Sequence, residues 1–198
     1  MASRKILYVC QEIMPYLPET ELSGLSRRLV QAMQERGNEI RTFMPRYGCI
    51  NERRNQLHEV IRLSGMNLII DDNDHQLIIK VASIPSARIQ IYFIDNEDFF
   101  SRRAVVTDEN GAEFEDNDER MVFFARGVLE TVKKLNWSPT VVHCIGWMSA
   151  IVPGYGQIYN KQYWKLPLVY GTLAGSLALF INENNTYKPL KRQYEAIT

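Results

Sequence analysis

No charge of either sign dominates this sequence: 23 basic residues stand against 23 acidic ones in 198. Duplex binding needs a basic field, so nucleic acid is excluded as a partner. Cysteine is scarce, and Cys10, Cys49 and Cys144 are an odd, widely spaced set. They cannot form a disulfide framework and suit a reducing compartment. His58, His75 and His143 lack the spacing of metal ligands, so no metal is expected. There is no Gly-x-Gly-x-x-Gly, no P-loop and no nucleophile elbow, which argues against a dinucleotide, a nucleoside triphosphate on a Walker loop, or a Ser hydrolase. The apolar run near the start is too short for a secretory core and reads as a strand, so a cytoplasmic start is the expectation.

What remains is ordinary globular composition, with 45% hydrophobic residues. Lys5 to Cys10 is a short apolar, β-branched run, read as a buried strand. After a loop with Pro15 and Pro18, Ser23 is the predicted cap of a helix over Gly24 to Arg36. Leu25, Leu29, Ala32 and Met33 share one face there, and Gly37 closes it. Glu39 to Phe43 is a second strand. Strand, helix and strand at this spacing make a βαβ unit, the opening of a Rossmann-like sheet. His58 to Leu63, Leu68 to Ile70, Leu77 to Ser83 and Arg88 to Ile94 read as strands. They form antiparallel hairpin matter hung on the sheet and end in one more core strand. Asp108 to Asp118 reads as a solvated acidic turn. Asn117 opens a helix through Leu135, and Thr140 to Cys144 returns to the parallel sheet.

Open α/β sheets bind ligands beyond the carboxyl ends of their strands, so the loop after the first strand is the first place to look. Glu12 sits there, either as an acceptor for a sugar hydroxyl or as a solvated loop carboxylate. His143 is the second candidate, either a hydrogen-bonding group in the cleft or a satisfied core imidazole. Its neighbour Cys144 points to the opposite face of the strand, so the two make a poor catalytic pair. Trp147 reads as core rather than as a sugar platform.

The runs Tyr8-Val9-Cys10-Gln11-Glu12, Arg36-Gly37-Asn38-Glu39-Ile40-Arg41, Phe43-Met44-Pro45-Arg46-Tyr47-Gly48, Tyr92-Phe93-Ile94-Asp95-Asn96, Asp116-Asn117-Asp118-Glu119-Arg120 and His143-Cys144-Ile145-Gly146-Trp147 carry a resemblance. In order and spacing, over about residues 4–152, they resemble the N-terminal domain of bacterial glycogen/starch synthases. These are retaining GT-B glucosyltransferases of glycosyltransferase family 5, and the variant it looks most similar to is the Bacteroidetes type. The resemblance implies transfer of glucose from ADP-glucose to the 4-OH of an α-1,4-glucan, with retention, without a metal and without a cofactor. By motif position it puts Glu12, Tyr47, Asn117, Arg120 and His143 on the acceptor side of the cleft. It names no catalytic residue in this chain.

The sequence departs from the family pattern in three places. The Lys-Thr-Gly-Gly-Leu that follows the first strand is Pro18-Glu19-Thr20-Glu21-Leu22 here. The donor-contacting lysine is gone, and two glutamates repel a diphosphate. The His-x-His-Asp-Trp strand end is His143-Cys144-Ile145-Gly146-Trp147, so the second histidine is an isoleucine. Nothing in residues 153–198 resembles the second Rossmann-like domain that holds the nucleotide phosphates. That stretch carries five basic residues against two acidic ones, and it resembles small membrane-associated proteins with a Pro-Gly-x-Gly-Gln-x-Tyr-Asn motif. Its apolar run from Leu166 to Ile181 is slightly short for a bilayer span. The run is either membrane-inserted or interfacial, or a soluble buried helix.

The expected fold is therefore α/β: a Rossmann-like parallel sheet, the N-terminal half of a GT-B fold, with a β-hairpin insertion and a short helical C-terminal tail. The expected domains are 1–152, the acceptor-side domain, and 153–198, an apolar tail. The chain reads as a glucosyltransferase fragment inactive by itself, located in the cytoplasm with membrane contact through the tail as an option. The alternative is a non-enzymatic glucan-binding or membrane-associated fusion protein.

Overall fold

The computed structural model describes residues 3–84, 87 and 89–146. The expected helical tail, with Leu166 to Ile181, and Trp147 lie outside the described residues. The chain divides between Ile151 and Val152, and all described residues belong to the first unit.

Four parallel strands form the centre. They are β1 (Lys5–Cys10), β2 (Glu39–Pro45), β6 (Ile89–Asp95) and β7 (Val141–Ile145), in the order β6-β2-β1-β7. β1 is a continuous apolar run, buried from Ile6 to Cys10, because both its faces are covered, whereas β2 is buried only from Thr42 on and β7 stays half-buried. Register pairs Tyr8 with Thr42 and His143 on one face, and Phe43 with Tyr92 on the other. Helix α1 (Glu21–Glu35) brings Ser26 beside the Tyr8 hydroxyl. Helix α3 (Asn117–Lys134) packs Gly127 onto Ile94 and Leu77. The two helices thus cover opposite faces. Phe93, Phe100, Phe123 and Phe124 are fully enclosed, each contributing roughly 1.5–3 kcal/mol by burial.

The hairpin expectation holds. Strand β5 (Asn73–Ile84) runs antiparallel to β6 along its length and extends the sheet. Strand β4 (Met66–Ile70) and the two-residue β3 (His58–Glu59) grip successive halves of β5. The strand predicted over His58 to Leu63 stops at Glu59. There the Ser64 hydroxyl accepts from Ile79 N at 2.9 Å and so takes over a ladder position.

Two capping details differ from the sequence reading. Thr20, not Ser23, caps α1. Ser23 N donates to Thr20 Oγ1 at 3.0 Å while Thr20 N donates to Ser23 Oγ at 2.8 Å, a reciprocal capping box. A one-turn helix, α2 (Glu97–Phe100), appears where none was expected. Asn96 Oδ1 accepts from Asp98 N at 2.9 Å and Phe99 N at 3.1 Å and sets it.

Behind this turn, four charges tie the hairpin to the parallel sheet. Lys80 Nζ on β5 lies 2.7 Å from Glu52 Oε1 and 2.8 Å from Asp95 Oδ2. Arg46, just after β2, reaches the same two carboxylates, with Nε 3.5 Å from Asp95 and Nη2 on Glu52. Burial alone would raise the Glu52 carboxyl, but hydrogen bonds from Lys80 and Arg46 hold it below its ordinary value.

Candidate functional site

The carboxyl ends of β1, β2 and β6 meet where Glu12, Tyr47 and α2 follow them directly in sequence. Tyr47 is fully buried, its ring edge-on to Phe100 at 6.0 Å. Gly48 is required beside it. A Cβ there would sit 2.0 Å from the Ser101 carbonyl oxygen, so only glycine lets the two loops touch. Burial raises the Tyr47 hydroxyl pKa. The nearby Arg120 charge opposes that, and Glu12 adds to it.

Arg120, on the first turn of α3, is fully buried as well. Its Nε donates to the Phe99 carbonyl at 2.8 Å and its Nη1 to Asn117 Oδ1 at 2.7 Å. Asn117 is fixed in turn by donating from Nδ2 to the Val106 carbonyl at 2.9 Å. The guanidinium lies between the rings of Phe100 and Phe114, at 5.4 and 5.2 Å. Burial lowers the arginine pKa, with Tyr47 acting the other way. Arg120 Nη2 and Tyr47 Oη have no hydrogen-bond partner.

Three of the five predicted residues therefore come together. Tyr47, Asn117 and Arg120 form a buried layer, and the partly exposed Glu12 is close enough to act on Tyr47 electrostatically. His143 stands apart in the middle of β7, because that strand runs one residue further than expected. Its half-buried ring stacks on Tyr8 at 5.1 Å, and burial holds it below the ordinary imidazole pKa. It is the neutral form that this surrounding favours.

The acidic stretch is the expected exposed turn around Gly111 in its first half only. Asp108 closes it by accepting from Asn110 N and Ala112 N at 2.8 and 2.9 Å. Its second half supports the site: Phe114 packs against Arg120, and Asp116 takes Arg102 at 2.5 and 2.6 Å. That ion pair explains why Asp116 precedes α3 without capping it by its side chain. Sequence reasoning also passed over Gln11. It is 8% exposed and its Oε1 is buried without a partner.

Among the described residues no cluster of His, Cys, Asp and Glu can hold a metal ion. None of the described helices is long and apolar enough to cross a membrane. A cavity of about 270 Å3 opens at the other end of the sheet, against Glu39, Arg41 and Gln90, away from this cluster.

The family described as the starch synthase catalytic domain matches residues 5–171. Glycogen synthase of Chlorobium limicola is 40% identical over 150 residues, 75% of this chain and 31% of that protein. Glycogen synthase of Chlorobaculum tepidum is 39% identical over 149 residues, 75% of this chain and 30% of that protein. The chain thus spans less than a third of the relatives it matches. The solved catalytic domain of starch synthase IV from Arabidopsis thaliana, bound to ADP and acarbose, superposes with a TM-score of 0.67 at 20% identity. It covers 81% of this chain and 32% of that one, and it shows the fold.

Proposed function

The chain belongs to the starch synthase catalytic-domain family, and on that premise we propose that its described part is the acceptor-side wall of a glucosyltransferase cleft that holds the non-reducing end of an α-1,4-glucan. The observation that carries this is the buried Tyr47–Asn117–Arg120 layer at the carboxyl ends of the parallel strands, with two buried polar atoms there left unpaired and Glu12 just past the same end of β1. In this reading Glu12 meets a sugar hydroxyl, while His143, in the middle of β7 and stacked on Tyr8, supports the sheet behind it. The buried three hold the wall in shape.

The full reaction, glucose passing from ADP-glucose to the glucan 4-OH, needs a second wall to neutralise the leaving diphosphate. Two observations support little donor binding on this wall. Glu19 and Glu21 flank the start of α1, and the capping box occupies the Thr20 and Ser23 amides. The 198-residue chain prepared alone is therefore expected to bind glucan and to transfer no glucose.

Affinity electrophoresis in glycogen-containing gels tests the first part, with Glu12→Gln as the control variant. Retardation of the parent that weakens in the variant, at unchanged unfolding midpoint, is the expected result; no retardation sinks the reading. Turnover of ADP-glucose above a heat-killed control would overturn the second part.

A further inference from the structure

Gln11 directly follows β1, and its backbone N donates to the Ile145 carbonyl at 3.3 Å, closing the tips of β1 and β7 on each other. Its side chain turns into that junction and is 8% exposed. The Oε1 there is buried with no partner among the described residues. Buried carboxamide oxygens are ordinarily satisfied, and an orphaned one at a ligand-binding strand end calls for a donor from outside the described residues.

The space around it has one further owner. Gly146 follows β7 at φ 85°, and a Cβ built on it would meet Gln11 Cβ at 2.8 Å and Gln11 Oε1 at 3.0 Å. A side chain can fill this volume from position 11 or from position 146, not from both. The family pattern has a polar His-Asp pair at the positions of Ile145 and Gly146. Here an isoleucine and a glycine stand there, and the polar group arrives from the neighbouring strand instead.

We propose that Gln11 is a specificity-determining residue whose carboxamide hydrogen-bonds a hydroxyl of the bound glucosyl unit, in place of the polar side chains absent at Ile145 and Gly146. This rests on the glucan-binding reading above. The group it takes is a neutral sugar hydroxyl rather than a phosphate, because the free atom is an acceptor and the next residue is the carboxylate of Glu12.

Isothermal titration of the full chain with maltoheptaose, alongside thermal unfolding, tests it. Gln11→Leu keeps most of the volume and removes the hydrogen bond. Its affinity is expected to fall about ten-fold, the weight of one hydrogen bond, while its unfolding midpoint stays level or rises. If the parent binds maltoheptaose and Gln11→Leu binds equally well, the assignment of Gln11 is overturned and the glucan reading stands. If the parent itself does not bind, the glucan reading fails and takes this assignment with it. If Gln11→Leu loses both binding and stability, Gln11 is a packing residue and the proposal is wrong.

Discussion

Replacing Lys80 by methionine removes the cation that joins Glu52 to Asp95 and keeps the aliphatic stem. Both partners lie at hydrogen-bond distance, and the side chains of Lys80 and Asp95 are only 16% and 7% exposed. Removing one member of such a buried pair costs about 3–5 kcal/mol when nothing replaces it. Two features reduce that here: Glu52 is a third exposed, and Arg46 remains beside both carboxylates. The expected loss is about 2–3 kcal/mol, read from urea unfolding of the full chain at pH 7. The pH dependence follows with a definite sign. The Glu52 carboxyl is held below its ordinary 4.5, so its contribution is present above that pH and is lost as the medium acidifies through the folded value. Lys80→Met should flatten this acid limb. A cycle with Glu52→Gln isolates the pair, and the two losses should fall short of additivity. A Lys80→Met loss under about 0.5 kcal/mol, or one that vanishes in high salt, would show that solvent screens the network and would refute the argument.

Gly48→Ala should be among the most damaging small changes, by about 3 kcal/mol or more, because its Cβ would collide with two backbone carbonyls that cannot rotate away; a thermal midpoint near that of the parent would contradict it. His143, held below 6.5 by burial, charges more readily unfolded than folded, so stability should begin to fall as pH drops below about 6.5. His143→Gln should remove that early limb and leave the later carboxylate limb; an unchanged profile between pH 7 and 5 would show that the ring does not resist protonation. Thr20→Ala removes one half of the α1 capping box and should cost about 1 kcal/mol; an unchanged urea midpoint would mean that the box contributes nothing.

Periodicity made β1, β6 and α3 readable, since each buries a continuous face that local sequence must supply. The cap of α1 was misplaced because Thr20 and Ser23 are equally able hydroxyls, and only their reciprocal bonding decides between them. Helix α2 is too short to show a period and is announced only by Asn96 ahead of two acidic residues. Tyr47, Asn117 and Arg120 were reachable through resemblance alone, because their meeting depends on chain folding between distant loops. Gln11 stood in the sequence only as one member of the run that carries the resemblance: its meaning depends on Gly146, which the sequence places far away. The Arg46–Glu52–Lys80–Asp95 network was hidden for the same reason, each charge looking like an ordinary surface residue until the hairpin docks.

Strand β7 closes onto β1 across a separation of 135 residues, seen in the bond between Lys5 N and the Thr140 hydroxyl. Parallel pairing offers no local route to this closure, so it comes late in folding. On a ribosome adding about 5–20 residues per second, β1 waits roughly 7–27 s before its outer partner has been made. For that interval the apolar edge of Lys5–Cys10 is an open template for any other strand. The order of synthesis thus leaves β1 with β2 as its one sheet neighbour until Val141–Ile145 has been made.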